Sequence, residues 1–247
     1  MITLYTLMGG LGYLSAIIFI SVRMKRINLS YKELFFSLIL TIVLGFIGAR
    51  ILYAIARIAA KGFSPKGFMN DLLHGGIVFY GGMLGILLGC TIFASITHRK
   101  IHDVLDFALP AIPLFHCIAR IGCLFAGCCY GVEWSWGVRN PVHSDGLLFP
   151  VQIFESACNL LIFISIMIWQ RVRRSDRFSA EIYLAAYGIC RFILEFFRGD
   201  VSRGIWADGL STSQHISLAI LAVLFIRGLV LLIRSYNKKH VKDEKTD

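Results

Sequence analysis

Seven apolar runs dominate the chain, at residues 1–22, 35–56, 77–97, 107–127, 151–169, 181–197 and 215–233, with polar residues gathered between them. Each run approaches or exceeds the ~20 residues an α-helix needs to cross the hydrocarbon core of a bilayer. Backbone groups in lipid have no water to bond, and a helix satisfies them internally. The pattern therefore predicts an all-α, polytopic membrane bundle of seven helices. Pro110 and Pro113 lie inside the fourth run and predict a bend there, or backbone opened to a cavity. The first run has no basic segment ahead of it and no small-residue cleavage site before Arg23, so it reads as a span rather than a removable signal. One membrane domain is expected over 1–236. The polar stretch 237–247 reads as a disordered cytoplasmic tail.

Composition agrees. Hydrophobic residues make up 57% of the chain and charged residues 16%, where a soluble domain carries about 25% charge. The net charge of +10 raises the question of nucleic acid, but its distribution answers it. Fifteen Lys and Arg fall in one alternate set of connections, from Arg23 through Arg99 and Arg171 to Lys245, and six in the other. That asymmetry is a topology signal and puts the first set in the cytoplasm. Seven spans then leave the N-terminus outside and the C-terminus inside, in a bacterial cytoplasmic membrane. The outward connections 57–76, 128–150 and 198–214 carry Tyr130, Trp134, Trp136 and Trp206, residues that favour headgroup depth.

Four arginines remain inside the runs: Arg50, Arg120, Arg191 and Arg227. A guanidinium in hydrocarbon costs at least ~2.5–3.5 kcal/mol and cannot discharge itself. Such a group is expected to face a wet or polar cavity with an anion as partner, and the anion nearest to hand is a phospholipid headgroup.

Four constellations carry candidate chemistry. In Arg120-Ile-Gly-Cys-Leu-Phe-Ala-Gly-Cys-Cys-Tyr-Gly131, Gly122, Gly127 and Gly131 allow close backbone approach beside a phosphate-clamping arginine. The competing reading is an arginine reaching the interface while the glycines serve packing. Cys123, Cys128 and Cys129 raise a metal or a disulfide, but no second Cys or His pair accompanies them and the spacing is a weak signal. Tyr187, Arg191 and Glu195 recur every four residues and share a helix face, which Arg198 extends. Arg191 and Glu195 can satisfy each other, which leaves Arg198 with spare charge for an anion. Gly75 to Gly85 interleaves small residues with Tyr80, either for helix packing or to aim the phenol into a cavity. Gln152 and Glu155 open the fifth run, with Glu155 read as the partner of an arginine or as a catalytic carboxylate.

Taken in order, these pieces resemble the bacterial prolipoprotein diacylglyceryl transferase family. Tyr5-Thr-Leu-Met8, Gly48-Ala-Arg-Ile-Leu-Tyr53, Gly75 to Gly82, Arg120-Ile-Gly122 with Gly127 and Gly131, Pro150-Val-Gln-Ile-Phe-Glu155, Tyr187 to Arg198 and Gly209-Leu-Ser-Thr-Ser-Gln214 are similar to its motifs along nearly the whole chain. The resemblance implies transfer of the diacylglyceryl group of phosphatidylglycerol to the lipobox cysteine of a prolipoprotein signal peptide, with release of glycerol phosphate and without a metal or other cofactor. It implies that Arg120 and Arg198 hold the phosphate, and that Tyr80 stands at the proton-handling position. It further points to Tyr5, Gly81, Gly82, Gly122, Gly131, Gln152, Glu155, Tyr187, Arg191 and Glu195 as substrate-binding or neighbouring residues. The acceptor brings its own thiol, so Cys123, Cys128 and Cys129 are not needed as nucleophiles.

The chain departs from the family at several of these sites. Thr6 replaces a glycine and Tyr80 a histidine. Cys123 and Cys128 stand at an asparagine and a glutamate, and Phe149 and Phe154 replace a histidine and a tyrosine. A phenol ionises near pH 10 and is a poor base at neutral pH, which leaves a paralogue with another acceptor as the alternative. Lipid or anion transport is a further alternative; the lack of an evident internal repeat counts against it.

Overall fold

In a computed structural model, residues 4–76, 78–140, 142, 146–200, 205–206 and 208–243 are described. The chain is mainly helical: α1 (Leu4–Arg23), α2 (Tyr31–Lys61), α3 (Pro65–His74), α4 (Phe79–Ile96), α5 (Ile101–Ala108), α6 (Ala111–Ala126), α7 (Val151–Arg173), α8 (Ser179–Leu194) and α9 (Thr212–Asp243). A two-stranded antiparallel ribbon, β1 (Glu133–Arg139) and β2 (Leu147–Leu148), sits in the connection read from sequence as loop.

Among the described residues, five helical stretches are long and apolar enough to cross a membrane: Leu4–Ile27, Tyr31–Ile55, Ile101–Ala126, Val151–Arg173 and Thr212–Tyr236. The runs at 77–97 and 181–197 form shorter helices. In α4 the apolar stretch is Gly81–Ile96. The α-helical part of the other run stops at Leu194 and continues as a 3-10 turn, Glu195–Phe197.

Boundaries follow local chemistry. Ser30 caps α2 by accepting from Glu33 N–H, and the Glu33 carboxylate accepts from Ser30 N–H at 2.8 Å. Ser64 caps α3 just ahead of Pro65, so a helix forms inside the expected 57–76 connection. The fourth run breaks at Leu109–Pro110, between α5 and α6, as Pro110 predicts. α9 continues to Asp243, into the stretch read from sequence as a polar tail.

The fold divides into two units, residues 20–108 and residues 1–19 with 109–247. In the first, α2 and α4 pack backbone to backbone. A Cβ at Gly48 would overlap the Gly81 carbonyl, and one at Gly85 the Leu44 carbonyl. Met24, Leu29, Leu34, Phe93, Val104 and Phe107 fill its core. Arg50 lies against the Phe46 ring and donates from Nη1 to the Gly75 carbonyl, so a backbone oxygen meets one of its donors while Nε stays buried without a hydrogen bond among the described residues.

In the second unit α6, α7, α8 and α9 pack in sequence order. Gly122 lets α1 cross close to α6, since a Cβ there would stand 2.9 Å from Met8 Cβ. The core centres on Ile162, Ile166 and Tyr183. Arg227 of α9 pairs with Glu181 of α8 at 2.6 Å.

Candidate functional site

Three neighbouring helices of the second unit supply the polar interior. Arg120 lies on α6, Glu155 one turn into α7, and Arg191 near the end of α8. Arg120 Nη2 is 2.8 Å from Glu155 Oε1, and Arg191 Nη1 is 3.6 Å from Glu155 Oε2. Arg191 Nη2 is 2.8 Å from Glu195 Oε2, as their spacing of four on a helix dictates. Arg198 Nε approaches the same Glu195 oxygen at 4.0 Å and donates to Asp200 Oδ1 at 2.8 Å. The result is an alternating chain, Arg120–Glu155–Arg191–Glu195–Arg198–Asp200, with three charges of each sign.

Burial of this chain is deep. The Glu155 side chain is 3% exposed and Glu195 0%, against 17% for Arg120, the most accessible of the three arginines. Isolated charges would be untenable there, and pairing is what makes them tolerable. The in-span arginines, expected to take an anion from outside, each have a protein partner here. Protein carboxylates and carbonyls already meet them. Arg198, read as carrying spare charge, is paired with Asp200. The extended backbone at Arg198 (φ −81°, ψ 140°) and the intervening Gly199 swing that carboxylate back onto the guanidinium.

The remaining candidates fall into three groups. Gln152, buried at the start of α7, donates from Nε2 to the Cys128 carbonyl at 2.8 Å and so pins the exit from α6. Tyr187 stacks on Tyr183 with ring centroids 5.6 Å apart and lies 5.7 Å from the His116 ring. Tyr5 is half exposed on α1. The glycines serve close approach: a Cβ at Gly131 would overlap the Phe149 carbonyl, and one at Gly199 would press on the Gly131 carbonyl at 2.5 Å. Gly81 and Gly82 belong to the other unit, where both face α2. The Tyr80 side chain lies outside the described residues.

Sequence reasoning passed over four groups. His116 is buried one turn before Arg120 on α6. Asn159, with no exposed surface, donates from Nδ2 to the Glu155 carbonyl at 2.8 Å. Ser213 accepts from Arg191 Nη2 at 3.2 Å. Asp200 is the fourth. His116 and Asn159 each stand four residues from a named charge, a spacing that could have flagged them; Asp200 and Ser213 carry no such mark.

The cysteines at the end of α6 also converge. Cys123, Cys128 and Cys129 bring their Sγ atoms within 4.8 Å of one another. Gly127 (φ 69°) ends the helix in the left-handed region and Cys129 (φ 56°) follows suit, folding the chain back on Cys123. The neighbouring Cys123 and Cys128 thiols hold the ionisation of Cys129 well below the ordinary thiol range, with Arg120 and Arg198 adding to the effect against its burial.

Comparison with known proteins bears on all of this. A sequence model described as prolipoprotein diacylglyceryl transferase matches residues 1–233. A phosphatidylglycerol--prolipoprotein diacylglyceryl transferase 2 of Clostridium perfringens is 30% identical over 247 residues, covering 98% of this chain and 92% of its own length. A phosphatidylglycerol--prolipoprotein diacylglyceryl transferase of Clostridium tetani is 31% identical over 220 residues, 87% of each chain. The like-named protein of Methylococcus capsulatus is 29% identical over 203 residues, covering 78% of this chain and 74% of its own.

Proposed function

The chain belongs to the prolipoprotein diacylglyceryl transferase family, and from that premise we propose that it moves the diacylglyceryl group of phosphatidylglycerol onto the thiol of a prolipoprotein lipobox cysteine. The observation that carries the reading is the buried arginine–carboxylate chain running from Arg120 to Asp200. A transferase of this kind must stabilise a leaving glycerol phosphate inside a low-dielectric site. Donors fixed in advance do this without reorganising when charge develops, an effect worth about 3–4 kcal/mol for one well-placed group.

In this mechanism Arg120, engaged with Glu155 through Nη2, turns its other N–H groups to the phosphate. Arg198 closes on the same group as Asp200 releases it. Glu155 and Glu195 hold the three guanidiniums in register, so Arg191 acts as a positioning residue. Attack by the acceptor sulfur on the glyceryl carbon forms the C–S bond. The bond between that carbon and the phosphate ester oxygen breaks, the electron pair leaves on that oxygen, and the thiol proton passes to solvent. Tyr5, Gly122, Gly131, Gln152 and Tyr187 shape the surroundings. On sequence grounds Tyr80, Gly81 and Gly82 remain candidates for proton handling and lipid contact, and Tyr80→Phe tests the first. The proposed setting is the bacterial cytoplasmic membrane, with seven spans, the N-terminus outside and α4 and α8 completing the set.

Purified protein incubated with phosphatidylglycerol and a lipobox peptide provides the test. Mass spectrometry is expected to find the peptide heavier by one diacylglyceryl group, with glycerol phosphate released in equal amount. An unmodified peptide alongside intact lipid would refute the proposal. Headgroup release with no change in the peptide would instead favour a different acceptor, which the residues at Tyr80, Cys123 and Cys128 make the leading second reading.

A further inference from the structure

We propose that Cys123, Cys128 and Cys129 form a three-thiolate site for a thiophilic divalent metal ion such as zinc, whose fourth coordination position takes the acceptor thiol. The first half stands on the fold alone; the identity of the fourth ligand rests on the transferase reading.

Geometry carries the first half. Zinc bound tetrahedrally at about 2.3 Å from each sulfur sets the sulfurs about 3.8 Å apart. The three Sγ atoms already lie within 4.8 Å of one another, so at most about 1 Å of side-chain adjustment closes the site. The backbone is built for the convergence. Cys128 N–H donates to the Cys123 carbonyl at 3.2 Å, Gln152 holds the Cys128 carbonyl, and Asn140 Nδ2 holds the Gly127 carbonyl at 3.0 Å. Cys129 sits at φ 56°, in the left-handed region that disfavours any side chain other than glycine. Strain of that kind persists where surrounding structure enforces it, and it gathers at functional sites. Here it turns a third sulfur toward the other two. Cys128 and Cys129 are partly exposed, which gives an ion a way in. The other four cysteines, Cys90, Cys117, Cys158 and Cys190, stand outside the cluster.

Chemistry carries the second half. Three protein ligands and one open position make a zinc site that can act on a substrate. A thiol that coordinates the ion is deprotonated outright, so the ion does the work for which a phenol is poorly suited. The acceptor S–H displaces water from the ion and gives its proton to solvent. Its sulfur then attacks the glyceryl carbon as described above, with no change in oxidation state. Cys123 follows Arg120 by three residues on α6, and residues so spaced are neighbours on a helix surface. A thiolate on the ion and a phosphate on Arg120 would therefore stand side by side.

Reduced full-length protein in detergent, titrated with Co2+ in place of zinc, tests the site. One ion per chain is expected, with sulfur-to-metal charge-transfer absorption that zinc abolishes. Cys123→Ser, Cys128→Ser and Cys129→Ser should each weaken binding at least about tenfold, while Cys158→Ser leaves it unchanged. A lipobox cysteine peptide should shift the visible bands, and its serine counterpart should not. Absence of binding, or binding that survives replacement of all three cysteines in a variant with unchanged circular dichroism and gel-filtration profile, would overturn the site. Full-rate peptide modification by chelator-stripped protein would overturn thiol activation and leave the transferase standing. Intact Co2+ spectra without transfer to any peptide would overturn the transferase reading and leave the three-thiolate site in place.

Discussion

Glu155 answers two guanidiniums from two different helices, at 2.8 Å from Arg120 and 3.6 Å from Arg191. Replacing it by Gln keeps the shape and removes the charge that both arginines need. Loss of one partner from a buried ion pair costs about 3–5 kcal/mol. Glu155→Gln is thus expected to lower the thermal unfolding midpoint as well as activity, and an unchanged midpoint would mean that water, not Glu155, stabilises the arginines. Arg120→Lys tests a different property. Lysine keeps the charge but not the planar fork, so turnover should fall about 100-fold or more with little change in the unfolding midpoint. Full turnover would remove bidentate phosphate recognition from the mechanism. At this scale the sequence was half legible. The Tyr187–Arg191–Glu195 face follows from helical period, and Glu155 was readable as an arginine partner. Nothing along the chain announced that Asp200 closes on Arg198, because that contact depends on an extended turn around Gly199.

The elements owe their packing to where side chains are absent. At Gly85 a methyl group would overlap the Leu44 carbonyl, whereas at Gly228 in α9 nothing lies within 4 Å. Gly85→Ala should therefore force α2 and α4 apart and lower stability by about 1–3 kcal/mol, as overpacking does. Gly228→Ala should be neutral, or stabilising by up to about 1 kcal/mol through helix propensity. Paired thermal melts in one detergent check the contrast, and equal effects would mean that propensity, not contact, governs both sites. A capping variant probes the start of α2. Ser30→Ala removes the acceptor for Glu33 N–H and should cost about 1 kcal/mol. Most helices were legible from their apolar runs, and the break at Pro110 from its imide nitrogen. The β1–β2 ribbon was not, since its pairing of Glu133 with Leu148 joins residues far apart in sequence.

At the scale of the whole molecule, membrane residence follows from five long apolar helices among the described residues, and orientation is an electrostatic question. With 15 basic residues in one set of connections and six in the other, the C-terminus is expected in the cytoplasm. A C-terminal green fluorescent protein fusion should then fluoresce in bacterial cells and a C-terminal alkaline phosphatase fusion should be inactive. The reverse pair of results would invert the proposed topology.

The sequence by itself determined the solvent this protein lives in, the places where its helices run and the positions of the arginines within them. Those properties are local: hydropathy, period and proline act over one or two helical turns. Only the tertiary structure decided that the arginines are joined through Glu155 and Glu195 into one neutral chain, and that three cysteines of weak spacing meet at the end of α6. Charge pairing and sulfur convergence need groups from separate turns and helices within a few ångströms. Such distances are set by how backbones pack at glycines and bend at left-handed residues, which the order of amino acids does not state.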